Sequence, residues 1–122
     1  MKKILIIEDE EIMLDLLQRK LVARGYQISL ARDGEEGLKK MKEERPDMVL
    51  LDLIMPKMDG FSVMEEIRKD DNLKKIPLIV ISNSGQPVEI SRIKELGAKD
   101  WLIKTEFDPQ ELAEKVKSLF GE

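Results

Sequence analysis

The chain of 122 residues contains no cysteine and no histidine. Without cysteine there are no disulfides, thiolate nucleophiles or zinc–thiolate sites, and this composition is compatible with a reducing cytosol. Without histidine there is no imidazole general acid or base, no histidine metal ligand and no histidine to carry a phosphoryl group. Any chemistry of this chain therefore depends on carboxylates, hydroxyls, amines and the backbone.

Aromatic residues are few, and the chain has neither an excess of positive charge nor a long apolar run. Aromatic residues make up 4% of the chain, and the formal net charge is -4. Nucleic-acid binding uses a basic face or stacking rings, so we expect no direct contact with nucleic acid. Short basic groups at Lys39-Lys40, Arg68-Lys69 and Lys74-Lys75 have acidic neighbours and are interpreted as solvated surface. The apolar runs are too short for a membrane span or signal segment, which predicts a soluble, cytoplasmic protein.

Five short runs rich in Ile, Leu and Val lack the polar alternation of a half-exposed strand. Such runs fit strands covered on both faces, as in a parallel sheet. They lie at residues 3–7, 27–31, 47–51, 78–82 and 100–103. Apolar residues at helical spacing separate them, beginning with Leu14, Leu17 and Leu21. This alternation predicts one α/β domain over residues 1–122, with five strands and five helices.

Helix ends are marked by residues that suit helix caps. Asp33 precedes the second helical segment, and Asp108 followed by Pro109 precedes the last one, as N-cap residues would. Gly25 and Gly97 stand where the first and fourth helices should end, since glycine readily adopts positive φ there. The predicted helices therefore have boundaries that agree with their apolar periodicity.

Acidic residues directly follow two of the predicted strands. Glu8 and Asp9 follow the first strand, and Asp52 follows the third. If those strands are neighbours, three carboxylates meet at one edge of the sheet, where like charges raise one another's pKa unless a cation lies among them. Any one of these acids alone would be interpreted as a loop residue or, for Asp9, a helix cap. Together with Ser82 and Lys104, which end the fourth and fifth strands, they favour a functional site.

The oxygen-rich set of side chains suits magnesium better than calcium or zinc. Mg²⁺ takes hard oxygen ligands and is usually held by one or two carboxylates together with a phosphate. Asp9 and Asp52 are predicted to bind it directly, Glu8 through water, and the backbone carbonyl of Ile54 to complete the protein ligands. A phosphoryl group is the implied partner of such a site.

The segment Asp52-Leu-Ile-Met-Pro-Lys-Met-Asp-Gly60 resembles the phosphorylation loop of bacterial response-regulator receiver domains. In that family an aspartate is followed by two variable residues, Met-Pro and a downstream Asp-Gly. Glu8-Asp9 is similar to the family's metal-binding acid pair, Ser82 to its conserved hydroxyl residue and Lys104 to its invariant lysine. Trp101 stands at the family's aromatic switch position. The resemblance covers essentially the whole chain, and it is closest in kind to the chemotaxis-regulator-like members of two-component signalling.

The resemblance implies a flavodoxin-like sheet in the order 2-1-3-4-5 and a phosphoacceptor role for Asp52. A histidine kinase or histidine phosphotransfer protein would donate the phosphoryl group with Mg²⁺, for which Mn²⁺ is a substitute. Ser82 would then bond to the phosphoryl group and Trp101 would reorient, which switches the face of helix four, strand five and helix five toward a downstream protein. The resemblance implies a signalling domain rather than an enzyme. We expect a single receiver domain with no effector domain in this chain, acting as a monomer or a phosphorylation-dependent dimer.

Three residues depart from the family pattern. Thr105 follows Lys104 where the family usually has proline, often after a cis bond, and a cis bond before a non-proline residue costs about 2.5–4 kcal/mol. Asn83 follows Ser82 where a smaller residue is common, so its side chain is expected near the entrance to the site. Ile54 is aliphatic and cannot orient an attacking water, which predicts slow self-dephosphorylation.

Other functions fit the sequence less well. A receiver-like binding module that works without phosphorylation would not need the acid pair, Asp52 and Lys104. An aspartyl-phosphate hydrolase usually has its nucleophile after the first strand, with a second acid two residues later. A flavin or nucleotide binder is disfavoured because the segment Ile7-Glu-Asp-Glu-Glu11 has no glycine and presents negative charge to a phosphate.

Overall fold

The computed structural model describes all 122 residues, as five strands alternating with five α-helices. The strands are β1 Lys3–Ile7, β2 Gln27–Ala31, β3 Met48–Asp52, β4 Leu78–Ser82 and β5 Asp100–Ile103. The helices are α1 Glu11–Ala23, α2 Gly34–Glu44, α3 Gly60–Arg68, α4 Pro87–Glu95 and α5 Pro109–Phe120. A short 3-10 helix, Leu73–Lys75, precedes β4. The predicted α/β alternation is confirmed.

All five strands are parallel and form one sheet in the order 2-1-3-4-5, as the resemblance implied. β1 and β3 are adjacent, with Ile7 opposite Leu51. β4 lies between β3 and β5, with Asp52 opposite Ile81 and Ser82 opposite Ile103. The carboxyl ends of β1, β3, β4 and β5 therefore meet along one edge, where ligands collect in sheets of this kind.

The sheet is covered on both faces, which is why its strands read as continuous apolar runs. Alternate residues of each strand enter opposite halves of the core. Leu5 and Ile7 pack with residues of α2, α3 and α4, whereas Ile4 and Ile6 pack with residues of α1 and α5. Each such side chain, when fully buried, contributes about 1.5–3 kcal/mol. The two cores fix the helices over the sheet and so hold its carboxyl edge in place.

The third strand begins and ends one residue later than the sequence predicted. The predicted range was 47–51, and the observed strand is Met48–Asp52. Asp47 instead accepts a hydrogen bond from the backbone N–H of Lys3, at 2.7 Å. Pairing continues through Asp52, which is fully buried. A carboxylate inside a buried strand is costly, and the sequence pattern therefore placed Asp52 outside it.

The predicted helix boundaries are confirmed by their caps. Asp33 accepts from the N–H of Glu36, and Asp108 accepts from the N–H of Gln110, each at 2.8 Å. Gly25 and Gly97 have φ of +92° and +99°, which suits glycine. Among the helices, none combines the length and apolar character needed to cross a membrane.

Candidate functional site

Three carboxylates and one ammonium meet at the carboxyl edge of the sheet. Glu8 and Asp52 are fully buried, and Glu10 is exposed. Each of the three contributes a carboxylate oxygen, and these oxygens all lie within 4.8 Å of one another. The ammonium of Lys104 lies 3.0 Å from Glu8 Oε1 and 3.0 Å from Asp52 Oδ2, and it also pairs with Glu10. The parallel sheet thus brings together residues far apart in the sequence.

One ammonium does not satisfy this group of acids. Lys104 donates a hydrogen bond to Asp52 Oδ2, but Asp52 Oδ1 accepts none. Neither oxygen of Glu8 accepts a well-directed hydrogen bond, although the ammonium is close to one of them. Buried acceptors without donors are rare and costly. The acids outnumber the one ammonium, and several of their buried oxygens accept no hydrogen bond, so a further cation could bind here.

The ionisation of the buried groups shows the same imbalance. Burial first, and then the neighbouring Asp52, raise the pKa of the Glu8 carboxyl to about 9. Burial alone would lower the pKa of the Lys104 ammonium, but the carboxylates of Glu10, Glu8 and Asp52 outweigh it and raise that pKa. Lys104 therefore stays charged, while burial beside Asp52 keeps the Glu8 carboxyl protonated at neutral pH. A divalent cation with hard oxygen ligands, such as Mg²⁺, fits this set of donors.

The predicted metal ligands are not all in the group. Asp9 is exposed and its side chain makes no hydrogen bond or ion pair, while Ile54 lies exposed in the loop after β3. Glu10 is in the group, and the sequence reasoning missed it. Its backbone is extended, with φ -81° and ψ 117°. Side chains two residues apart in an extended segment share a face, so the spacing of Glu8 and Glu10 was a usable signal.

Ser82 lies at the same edge but is bonded away from Asp52. Its side chain is fully buried, and its hydroxyl lies 2.5 Å from the carbonyl oxygen of Ser84. The hydroxyl also donates to the carboxylate of Glu89 and accepts from the N–H of Ser84 at 3.1 Å. Asn83 is exposed. The hydroxyl is therefore not hydrogen-bonded to the unpartnered Asp52 Oδ1.

Lys104 reaches the acids although threonine follows it. All peptide bonds are trans, including the bond to Thr105. The N–H of Lys104 donates to the carbonyl oxygen of Ser82 at 2.7 Å, which continues the pairing of β4 and β5 beyond their ends. Its side chain is only 10% exposed. The structure thus places the amine on Asp52 without the cis bond common in similar sequences.

Trp101 lies in β5, opposite Val80, and is half-buried. Its ring packs against the core half that contains Ile93 of α4. The Lys94 ammonium lies over the ring, 4.7 Å from its centre, a distance at which a cation–π contact is favourable. The only tryptophan of the chain therefore reports on the packing of α4 against β5.

Comparison with known proteins identifies the family. The model of the response regulator receiver domain matches residues 4–117. The chain therefore belongs to the response-regulator receiver family, as the phosphorylation-loop motif had suggested. Its class is that of receiver domains of two-component signalling, whose general role is to accept a phosphoryl group.

Curated relatives agree with this assignment. The chain is 38% identical to a probable transcriptional regulator ycf27 from Guillardia theta and 37% identical to the alkaline phosphatase synthesis transcriptional regulatory protein PhoP from Bacillus subtilis. Each match covers 97% of this chain, but only 45% and 48% of those proteins. The chain thus spans about half the length of these curated relatives.

Solved structures of similar domains superpose closely. A putative response regulator from Chloroflexus aurantiacus has a TM-score of 0.91 and 29% identity, covering 99% of this chain and 98% of that one. The receiver domain of the sensor histidine kinase PA1611 from Pseudomonas aeruginosa has a TM-score of 0.89 and 26% identity, covering 99% and 98%. That second structure contains a magnesium ion coordinated in its active-site cleft.

Proposed function

We propose that Asp52 takes a phosphoryl group from a phosphohistidine of a histidine kinase or phosphotransfer protein, and that this switches a protein-binding surface. The observation that carries the proposal is the pairing at Asp52. Lys104 holds Oδ2 at 3.0 Å, while Oδ1 of the same buried carboxylate has no partner. One oxygen is fixed and the other is left to react.

The reaction needs few groups. Asp52 Oδ1 attacks phosphorus as a nucleophile, the bond between phosphorus and the donor's histidine nitrogen breaks, and that nitrogen keeps the electron pair. Lys104, charged and within 3.0 Å of Oδ2, orients the carboxylate and offsets the added negative charge. No general base is needed, because a carboxylate oxygen can attack without first losing a proton. The absence of histidine from this chain is consistent with a donor histidine on another protein.

The buried carboxylate oxygens of Glu8 and Asp52 that accept no hydrogen bond support a magnesium requirement. Glu8, Asp9, Asp52 and the carbonyl of Ile54 are the proposed ligands, with Mn²⁺ as a substitute. Bound Mg²⁺ supplies neutralisation of the charge on the phosphoryl oxygens. Ser82 then donates to a phosphoryl oxygen, and Trp101 repacks beneath α4. The magnesium-bound relative from Pseudomonas aeruginosa supports this assignment by similarity.

The proposed output is a contact with a downstream protein through the face of α4, β5 and α5, with a monomer or a phosphorylation-dependent dimer as the assembly. Relatives named as transcriptional regulators support signalling to an effector, but they are about twice as long as this chain. The domain is proposed to act as a phosphoacceptor without turning over an outside substrate. Its location in the cytoplasm stays a prediction.

Intact mass tests the phosphoacceptor directly. The wild type, incubated with Mg²⁺ and acetyl phosphate, is expected to gain the mass of one phosphoryl group, and Asp52→Asn is expected to gain none. Asp71→Asn is the matched control, because Asp71 is an exposed surface aspartate. No gain in the wild type, or an equal gain in Asp52→Asn, would overturn the proposal. The same sample, followed after removal of the donor, should lose the group slowly, since the exposed Ile54 cannot orient water.

A further inference from the structure

The carboxylate of Glu89 accepts a hydrogen bond from the hydroxyl of Ser82. Glu89 is half-buried in the first turn of α4, whereas Ser82 is fully buried. Residues alternate along β4, so Ser82 shares a face with Leu78 and Val80, and both pack in the core half that α4 covers. The bond therefore joins the hydroxyl of the phosphoryl site to the helix that adjoins it.

Glu89 is not needed as a helix cap. An acid at the third position of a helix commonly accepts from the backbone N–H of the N-cap residue. In α4 the N-cap is Gln86, and its N–H donates instead to the hydroxyl of Ser84, at 3.0 Å. The ordinary role of Glu89 is thus filled by another side chain. Its carboxylate is left for Ser82.

The hydroxyl of Ser82 has one proton to donate. Two acceptors lie near it, the carboxylate of Glu89 and the carbonyl oxygen of Ser84. The charged acceptor makes the stronger bond. A hydroxyl that donates to Glu89 cannot at the same time donate to a phosphoryl oxygen on Asp52. The two bonds are mutually exclusive.

We propose that Glu89 is a positioning residue, which holds the Ser82 hydroxyl toward α4 in the unphosphorylated protein and so sets how readily the domain switches. This inference rests on the proposed function of Asp52. A phosphoryl group on Asp52 competes with Glu89 for the same hydroxyl proton. When the hydroxyl donates to the phosphoryl group, the Glu89 carboxylate loses its donor. Because both competitors are anions facing one hydroxyl, their repulsion favours movement of the first turn of α4. Glu89 thereby links the charge on Asp52 to the position of a helix.

Binding of beryllofluoride, a phosphoryl mimic, tests the proposal in the presence of saturating Mg²⁺. Trp101 fluorescence reports the apparent affinity. Glu89→Ala is expected to bind the mimic about tenfold more tightly than the wild type, the effect of removing one competing charge-assisted bond. Glu89→Gln, which keeps the size of the side chain and accepts more weakly, should show a smaller gain. Glu95→Gln is the control, because Glu95 is an exposed acid in the last turn of the same helix.

A double-mutant cycle separates positioning from general charge. In a Ser82→Ala background, Glu89→Ala should not increase the affinity for beryllofluoride, because the hydroxyl that Glu89 restrains is absent. An equal gain in that background would overturn the proposal, as would a Glu89→Ala variant that binds no better than the wild type. Without metal or mimic, the Ser84 amide resonance should move in Glu89→Ala toward its position in the liganded wild type, and an unmoved resonance would also count against the proposal.

The two proposals fail in different ways. A wild type that binds no beryllofluoride and gains no phosphoryl mass overturns the phosphoacceptor function and the role of Glu89 with it. A wild type that is modified on Asp52, with Glu89 variants indistinguishable from it in affinity and in the Ser84 resonance, overturns only the role of Glu89.

Discussion

At the scale of single residues, the acids around Lys104 differ in how much each would lose by binding a metal. Glu10 is already paired with the Lys104 ammonium. Asp9 is exposed and its side chain has no partner, and it directly follows the buried Glu8. Recruiting an unpaired carboxylate costs no ion pair, whereas recruiting Glu10 means sharing it with Lys104. We therefore expect Asp9, although it lies outside the group, to be the stronger ligand.

Mg²⁺ titration by calorimetry distinguishes these two acids. Asp9→Asn should weaken binding about tenfold, the loss of roughly 1.4 kcal/mol, and Glu10→Gln should weaken it less. Glu35→Gln, an exposed acid on α2, serves as the control for net charge. A larger loss in Glu10→Gln than in Asp9→Asn would show that the metal is held by the group as the structure has it, and that the sequence-based ligand set is wrong at Asp9.

At the scale of elements, local patterns predicted the central strands well because β1, β3 and β4 are buried along nearly their whole length and are largely apolar. The single shift, at β3, arises because Asp52 continues the pairing despite its charge. The positions of the strand-end acids followed from the parallel order of the sheet. The hydrogen bond between Ser82 and Glu89 could not be predicted in this way. It depends on where α4 begins above the sheet and on the Ser84 hydroxyl accepting from the N–H of Gln86. Such contacts are set by tertiary packing, which no periodicity in the sequence reports.

The loop that follows Asp52 leads into α3 through a close contact at Gly60. A Cβ at Gly60 would lie 2.6 Å from the carbonyl oxygen of Asp52 and 2.7 Å from the Cα of Leu53, and neither backbone atom can rotate away. The N–H of Gly60 also donates to the carbonyl oxygen of Leu53 at 2.8 Å. The glycine of the Asp-Gly pair in the sequence motif is therefore explained by packing of the helix start against the loop after Asp52.

Gly60→Ala is expected to lower the free energy of unfolding by about 1–3 kcal/mol, as overpacking does, and to slow phosphorylation of Asp52 because the loop must shift. Urea denaturation followed by circular dichroism measures the first effect. Gly85→Ala is the matched control, since its Cβ would meet only the end of the Ile103 side chain closely, at 2.8 Å. Equal stability of the two variants would contradict a backbone clash at Gly60.

At the scale of the whole molecule, the segment after α1 packs against the end of α5 through Tyr26. The Tyr26 ring lies 5.6 Å from the ring of Phe120, centre to centre, and its hydroxyl donates to Glu122 Oε1 at 2.8 Å. Burial first, and then the bond to the Glu122 carboxylate, raise the pKa of the Tyr26 phenol to about 12, from an ordinary value of 10.0. Two distant parts of the chain are thus joined by a group that titrates only in alkali.

This raised pKa makes the stability of the fold depend on alkaline pH in a definite direction. Below pH 10 the phenol is protonated in both the folded and the unfolded chain, so its contribution is fully present. Between about pH 10 and 12 the unfolded chain releases its proton first, and the free energy of unfolding falls. Lysines titrate in the same range, so we compare the free energies of unfolding of the wild type and Tyr26→Phe. The difference between these two free energies should become smaller as the pH rises.

Phenolate absorbance gives the pKa directly, because the chain has one tyrosine. The folded wild type should titrate with a midpoint near 12, and Glu122→Gln should lower that midpoint only part of the way toward 10, since burial remains the larger cause. A wild-type midpoint at the ordinary value would show that the Tyr26–Glu122 bond is not formed in solution. A midpoint unchanged by Glu122→Gln would assign the whole shift to burial and leave the two segments joined by apolar contact alone.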